Sequence, residues 1–275
     1  MSRAARPPFP FALLRFWFVR IVPAWCGIAL LIFLIQIAVS GIVHDNEKVK
    51  VFLGVLDVLP SVVKATLGGE MLRVGNTSAL IAIGYQHPFV MFLFMLFAVG
   101  VPTGLLAGEV QKGTMELILC RPTTKVQVYA CAGILTLAGM FVLVLVMFLG
   151  TVAAVNLFPF KNKVPLEAFL RLAVNGGLLA STFGAFSLLC AATFGRLYAA
   201  VVASVAVLVA SYFVAVISNW WPRMAFLKRA TLFYLIDSSN VWQGWPLRNM
   251  GVLAAILLLA AGLGALIWHR RDLPL

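Results

Sequence analysis

Six uncharged apolar runs, each long enough to cross a bilayer as a helix, constrain this 275-residue chain more than any other feature. A crossing takes about 20 apolar residues, because hydrocarbon offers the backbone no hydrogen-bond partner and an α-helix satisfies its own. The runs lie at about Ala24 to Val43, Phe89 to Ala107, Val126 to Val155, Leu172 to Phe194, Leu197 to Ile217 and Met250 to Trp268. With 63% hydrophobic residues and a mean hydropathy of +1.03, the whole chain lies far above the apolar share of about 45–50% found in soluble domains. The expected fold is an all-α integral membrane protein with a single transmembrane domain over residues 1–275. The third run rises about 45 Å as helix against about 30 Å of hydrocarbon, so it must tilt or begin below the membrane surface.

The segments between the runs add smaller elements. Phe11, Leu14, Phe18 and Ile21 recur at helical spacing around Arg15, Trp17 and Arg20, which predicts an interfacial helix over about residues 9–21. Pro7, Pro8 and Pro10 stop it extending backwards. The first apolar run is longer than the roughly 7–15 residues of a signal-peptide core, so it reads as a retained span. From His44 to Gln86 the chain is too polar to span. There Leu56, Leu59 and Val63 share a helical face before Gly68 and Gly69 break it, predicting one or two short helices on the outer surface. Asn76 opens a sequon that a single short chain matches by chance. Between Asn219 and Asn249, Trp220, Trp221, Trp242 and Trp245 are interrupted by Pro222, Gly244 and Pro246, predicting short re-entrant or interfacial pieces at headgroup level.

Charge is scarce, at 11% of residues, and the net +12 is dispersed over span ends. Such Lys and Arg residues serve as lipid-headgroup partners and anchors, whereas nucleic-acid binding needs a clustered basic face. With both termini inside, the inner segments hold ten of the 21 bases, so the positive-inside rule does not orient the chain. Cys26, Cys120, Cys131 and Cys190 have no disulfide or metal-ligand spacing, and His44, His87 and His269 all lie near span ends.

No carboxylate falls within a predicted span, which argues against proton or sodium coupling, since the ion needs a group to bind. Gln36, Asn175 and scattered Ser and Thr are the polar groups that remain there, with Arg171 near the outer end of the fourth run. These residue types commonly bond between helices. The phosphate-cradling pattern G-x-x-x-x-G-K-[ST] is also absent, so this chain is expected to be no enzyme and to hold no cofactor of its own. The spans likewise offer no paired carboxylates or nucleophile-and-base set for a membrane-embedded enzyme.

One charged island remains, at about residues 108–124 between the second and third runs. Gly108 to Lys112 continue the second run outwards, and Gly113 permits a sharp break. Thr114 is expected to cap a short helix from Met115 to about Cys120, with Glu116 in its first turn, where the helix dipole favours a carboxylate. Pro122 stops that helix, Thr123 and Thr124 turn the chain, and Lys125 marks re-entry. Val110, Leu117, Ile118 and Leu119 give the piece an apolar face.

The pattern Glu109-x-x-x-Gly113-Thr114-x-Glu116-x-x-Leu119-x-x-Pro122 closely resembles the signature of the permease subunits of type-2 ATP-binding-cassette (ABC) exporters, where it forms the coupling element between the second and third spans. The resemblance extends to the interfacial N-terminal helix, the six spans, the outer segment after the first span and the broken helices before the sixth.

It implies ATPase coupling by Glu109, Gly113, Thr114, Glu116, Leu119 and Pro122, with Arg121 and Lys125 as salt-bridge partners. It further implies two cytoplasmic ABC ATPase subunits that bind ATP and Mg, a second permease copy forming a homodimer, and accessory outer or periplasmic proteins. The chain would sit in the inner membrane with both termini cytoplasmic. The same element would also serve a complex that moves a partner instead of a substrate.

Overall fold

The computed structural model describes residues 9–44, 77–160, 163–221, 224, 226, 227, 231–235 and 244–272. All regular structure among them is helical. The helices are α1 (Phe11–Val43), α2 (Thr77–Gln86), α3 (Pro88–Leu105), α4 (Ala107–Gln111), α5 (Thr114–Leu119), α6 (Lys125–Leu157), α7 (Leu166–Thr193), α8 (Leu197–Trp220) and α9 (Leu247–Arg270), with a 3-10 turn at Leu232–Leu235. Six of these, α1, α3, α6, α7, α8 and α9, are long and apolar enough to cross a membrane. The chain is thus an all-α, multi-pass membrane protein, and each expected span falls within one of the six helices to within two residues.

One boundary differs. The expected interfacial piece and first span are a single helix, α1, that runs through Pro23. Proline's fixed φ is compatible with helix and only one backbone bond is lost, so flanking apolar packing carries the helix across it. Trp17 on the first half is fully buried, in one core cluster with Leu106, Met115, Val128 and Trp268. The expected short outer helices around Leu56, Leu59 and Val63, Gly68, Gly69 and the Asn76 sequon lie outside the described residues, as do Pro7, Pro8, Pro222 and Trp242.

Helix α7 is the most enclosed span and packs against α3, α6, α8 and α9, while α1 lies on α6, α2 and α3. Small residues bring these helices together. A Cβ on Gly177 of α7 would sit 2.0 Å from Val144 Cγ2 of α6, and one on Gly139 of α6 would sit 2.4 Å from Phe97 Cζ of α3. Close backbone approach of this kind is how helices gain dispersion contacts where lipid removes the hydrophobic drive between them. Helix α8 is the least enclosed span, and its exposed Val202, Val205, Val209 and Phe213 are suited to hydrocarbon.

The core has two main parts. One lies at the end carrying the charged island and gathers residues of α1 and α3 to α9. The other lies farther along the bundle and holds Ile32, Ile81, Phe94, Met140, Leu143 and Phe169. Arg20 of α1 touches the island and Arg271, just past α9, touches the start of α6, so both ends of the described chain share the island's end of the bundle.

Candidate functional site

The island begins where α3 breaks at Leu106, whose backbone N–H still bonds Pro102 O. Helix α4 then carries Glu109 into the bundle, with the residue only 3% exposed. A buried carboxylate needs partners, and two are present. Arg20 Nη1 of α1 donates to Glu109 Oε1 at 2.5 Å, and Thr114 Oγ1 donates to Oε2 at 2.5 Å and to the Glu109 carbonyl at 3.2 Å. Ionised partners make such bonds shorter and stronger than neutral ones.

Gly113 separates α4 from α5 at φ +71°, in the left-handed region that favours glycine. The sharp break expected there is present. Thr114 has another role than expected. It is the first residue of α5, Gly113 occupies the cap position, and the threonine hydroxyl reaches back to Glu109 instead of capping. The reversal at Gly113 brings α5 back beside α4, so the carboxylate competes successfully for that hydroxyl.

Helix α5 lies with one face in and one face out. Met115 is 2% exposed within the inner core, and Ile118 and Leu119 pack partly against it. Leu117, by contrast, is 70% exposed, beside exposed Glu116, Cys120 and Arg121. The helix ends at Leu119, before Pro122, and Thr123 Oγ1 ties the turn by donating to the Ile118 carbonyl at 2.9 Å. Thr124 then caps α6 in a reciprocal box with Gln127. That T-x-x-Q box was visible in the sequence as a helix start.

The expected salt-bridge partners are elsewhere. Among the described residues, neither Arg121 nor Lys125 pairs with Glu109 or Glu116; Arg20 takes that place at Glu109. Arg121 is exposed, and Lys125 Nζ donates to the Arg271 carbonyl at 2.8 Å. Lys125 projects from the first turn of α6 towards the end of α9, whose exposed carbonyls attract a cation. Arg20 was missed because it lies 89 residues from Glu109. The one available signal was that both belong to the small set of charges assigned to the same side of the membrane.

Further bonds tie the same layer to the remaining spans. The Leu197 N–H, opening α8, donates to Gln111 Oε1 at 2.7 Å. Trp268 Nε1 on α9 donates to the Lys125 carbonyl at 2.9 Å, and Arg271 Nη1 donates to the Ala192 carbonyl near the end of α7 at 2.9 Å. A Cβ on Gly195 would lie 2.5 Å from Arg271 Nη2, so the chain passes close to that guanidinium. Burial lowers the Arg271 pKa from its usual value.

Hydrogen bonds thus join the island to α1 through Glu109 and Arg20 and to α8 through Gln111, and the contacts around Lys125 and Arg271 join α6, α7 and α9. Among the described residues no group of three or more His, Cys, Asp or Glu side chains is placed to hold a metal ion. No protein-family model matches the chain, and no curated protein matches it in sequence.

Proposed function

We propose that this chain is the transmembrane permease subunit of an ABC exporter, moving a substrate across or out of the membrane with ATP hydrolysed by a separate ATPase subunit. The observation that carries this reading is α5: a six-residue helix set off by a left-handed Gly113, seated by Met115 and presenting Leu117 and Glu116 outward. Its inner side is bonded through Glu109 to the first span. An exposed leucine beside carboxylate and guanidinium groups is chemistry for a protein groove, because the rim charges orient a partner and the apolar centre holds it.

In this reading Glu109, Gly113, Thr114, Glu116, Leu119, Arg121, Pro122 and Lys125 form or support the coupling element. Arg20 joins them as a positioning residue. The island faces the cytoplasm, as then do both termini. Two ATPase subunits, holding ATP and Mg, would close on nucleotide binding and push α5, and a second copy of the chain would complete the pathway. The resemblance of the Glu109 to Pro122 pattern supports the same assignment.

The test is purification of the tagged chain from its native membranes in mild detergent, followed by assay of the bound fraction for ATP hydrolysis. An ATPase should co-purify, and alanine at Glu109 or Glu116 should lower hydrolysis by the assembled complex or release the ATPase. Unchanged activity in both variants would contradict the proposal.

A further inference from the structure

At the far end of the bundle a second polar cluster is buried, beyond reach of the island's bonds. Gln36 of α1 lies about 24 Å along the helix from Arg20 at 1.5 Å per residue. Its Nε2 donates to Thr151 Oγ1 of α6 at 3.1 Å, and the Thr151 hydroxyl lies 2.6 Å from that of Tyr85 on α2. Two glycines hold the amide in place. A Cβ on Gly84 would lie 2.8 Å from Gln36 Oε1, and one on Gly150 would lie 3.0 Å from Gln36 Cβ.

The cluster is incomplete. Gln36 Oε1 and, one turn further along α1, Ser40 Oγ are fully buried without a hydrogen-bond partner among the described residues. Leaving a buried polar group unsatisfied costs more than a typical hydrogen bond contributes, so the closed arrangement is disfavoured against any in which water reaches these atoms. Among the described residues, His44 and Phe158 lie next along α1 and α6 towards the far end. Phe158, just past α6, presses on Gly41, where an added Cβ would meet its ring at 2.9 Å, and stacks on His44 with ring centroids 4.8 Å apart.

We infer that Gln36, Ser40, Tyr85 and Thr151 form a polar gate that hydrates when the far ends of α1 and α6 part, with the Phe158 ring as its plug. The two orphaned atoms bias the bundle towards opening, and the aromatic stack opposes it. The geometry belongs to the bundle alone, so the inference holds whether or not an ATPase drives the motion.

The test reads access to position 40. In a chain with its four cysteines replaced, Ser40→Cys is introduced and the protein is placed in lipid nanodiscs, which leave both faces open to a charged, membrane-impermeant methanethiosulfonate. The thiol at position 40 should be labelled slowly. Adding Phe158→Ala should raise the rate about tenfold, and adding Gln36→Leu, which removes one orphaned acceptor, should lower it by a similar factor. A control thiol from Leu188→Cys, in the other core, should stay unlabelled throughout. The gate is overturned if Phe158→Ala leaves position 40 inaccessible, if Gln36→Leu speeds labelling, or if the control thiol reacts as fast.

Discussion

Arg20 on the first span and Glu109 at the exit from the second are joined through a 2.5 Å contact between Nη1 and Oε1, and the two ends of that bond differ in burial. The Glu109 side chain is 4% exposed and that of Arg20 is 44% exposed. An uncompensated buried charge costs more than a half-exposed one, since the latter can turn to water.

Removing the arginine should therefore harm the fold more than removing the carboxylate. Arg20→Ala is expected to destabilise by about 2–3 kcal/mol, because it strands the Glu109 charge with only Thr114 as partner. Glu109→Gln should cost about 1 kcal/mol, since the amide can still bond Thr114 and Arg20 can reach solvent. Thermal unfolding of the two variants in the same detergent measures the order, and the reverse order would remove the asymmetry claimed for the pair.

The reversal at Gly113 should be sensitive to conformation alone. A Cβ there meets nothing within 4 Å, yet φ is +71°. Gly113→Ala is expected to cost about 1–2 kcal/mol through the left-handed backbone, and Gly113→Asn distinctly less, because asparagine tolerates that region. Protease cleavage at the α4 to α5 turn, followed over time, should accelerate in the alanine variant first.

Adjacent glycines on α7 should separate close packing from helix propensity. At Gly176 an added Cβ has open space, while at Gly177 it would strike Val144 Cγ2 at 2.0 Å. Gly176→Ala should be neutral or slightly stabilising, whereas Gly177→Ala should cost about 1–3 kcal/mol by overpacking the α6 to α7 contact. Unfolding midpoints of the two variants check this, and equal midpoints would show that α7 sits farther from α6 than described.

Much of this architecture is legible in the sequence. Hydrophobic run length located the six spanning helices, because hydrocarbon thickness imposes it locally. The turn at Gly113 was legible for a similar reason: one residue type owns the left-handed region. The expected division between an interfacial piece and the first span is absent, because buried Trp17 and Ile28 lie on either side of Pro23 and packing keeps α1 whole. The partners of Glu109 were hidden for another reason. Arg20 reaches it only after α1 folds against α4, and Thr114 only after α5 doubles back. Gln36 and Ser40 could be noticed as polar residues in a span, but that Gln36 Oε1 and Ser40 Oγ find no partner among the described residues is a property of the packed bundle.

The claim that α5 receives a partner ATPase is tested most directly by placing a photo-activatable amino acid at Leu117 and irradiating native membranes. The account expects a crosslink to a protein that also labels with an azido derivative of ATP. The same probe at Leu258, exposed on the span α9, should give no such product. No ATP-labelled adduct from position 117, or an equal one from position 258, would contradict the account.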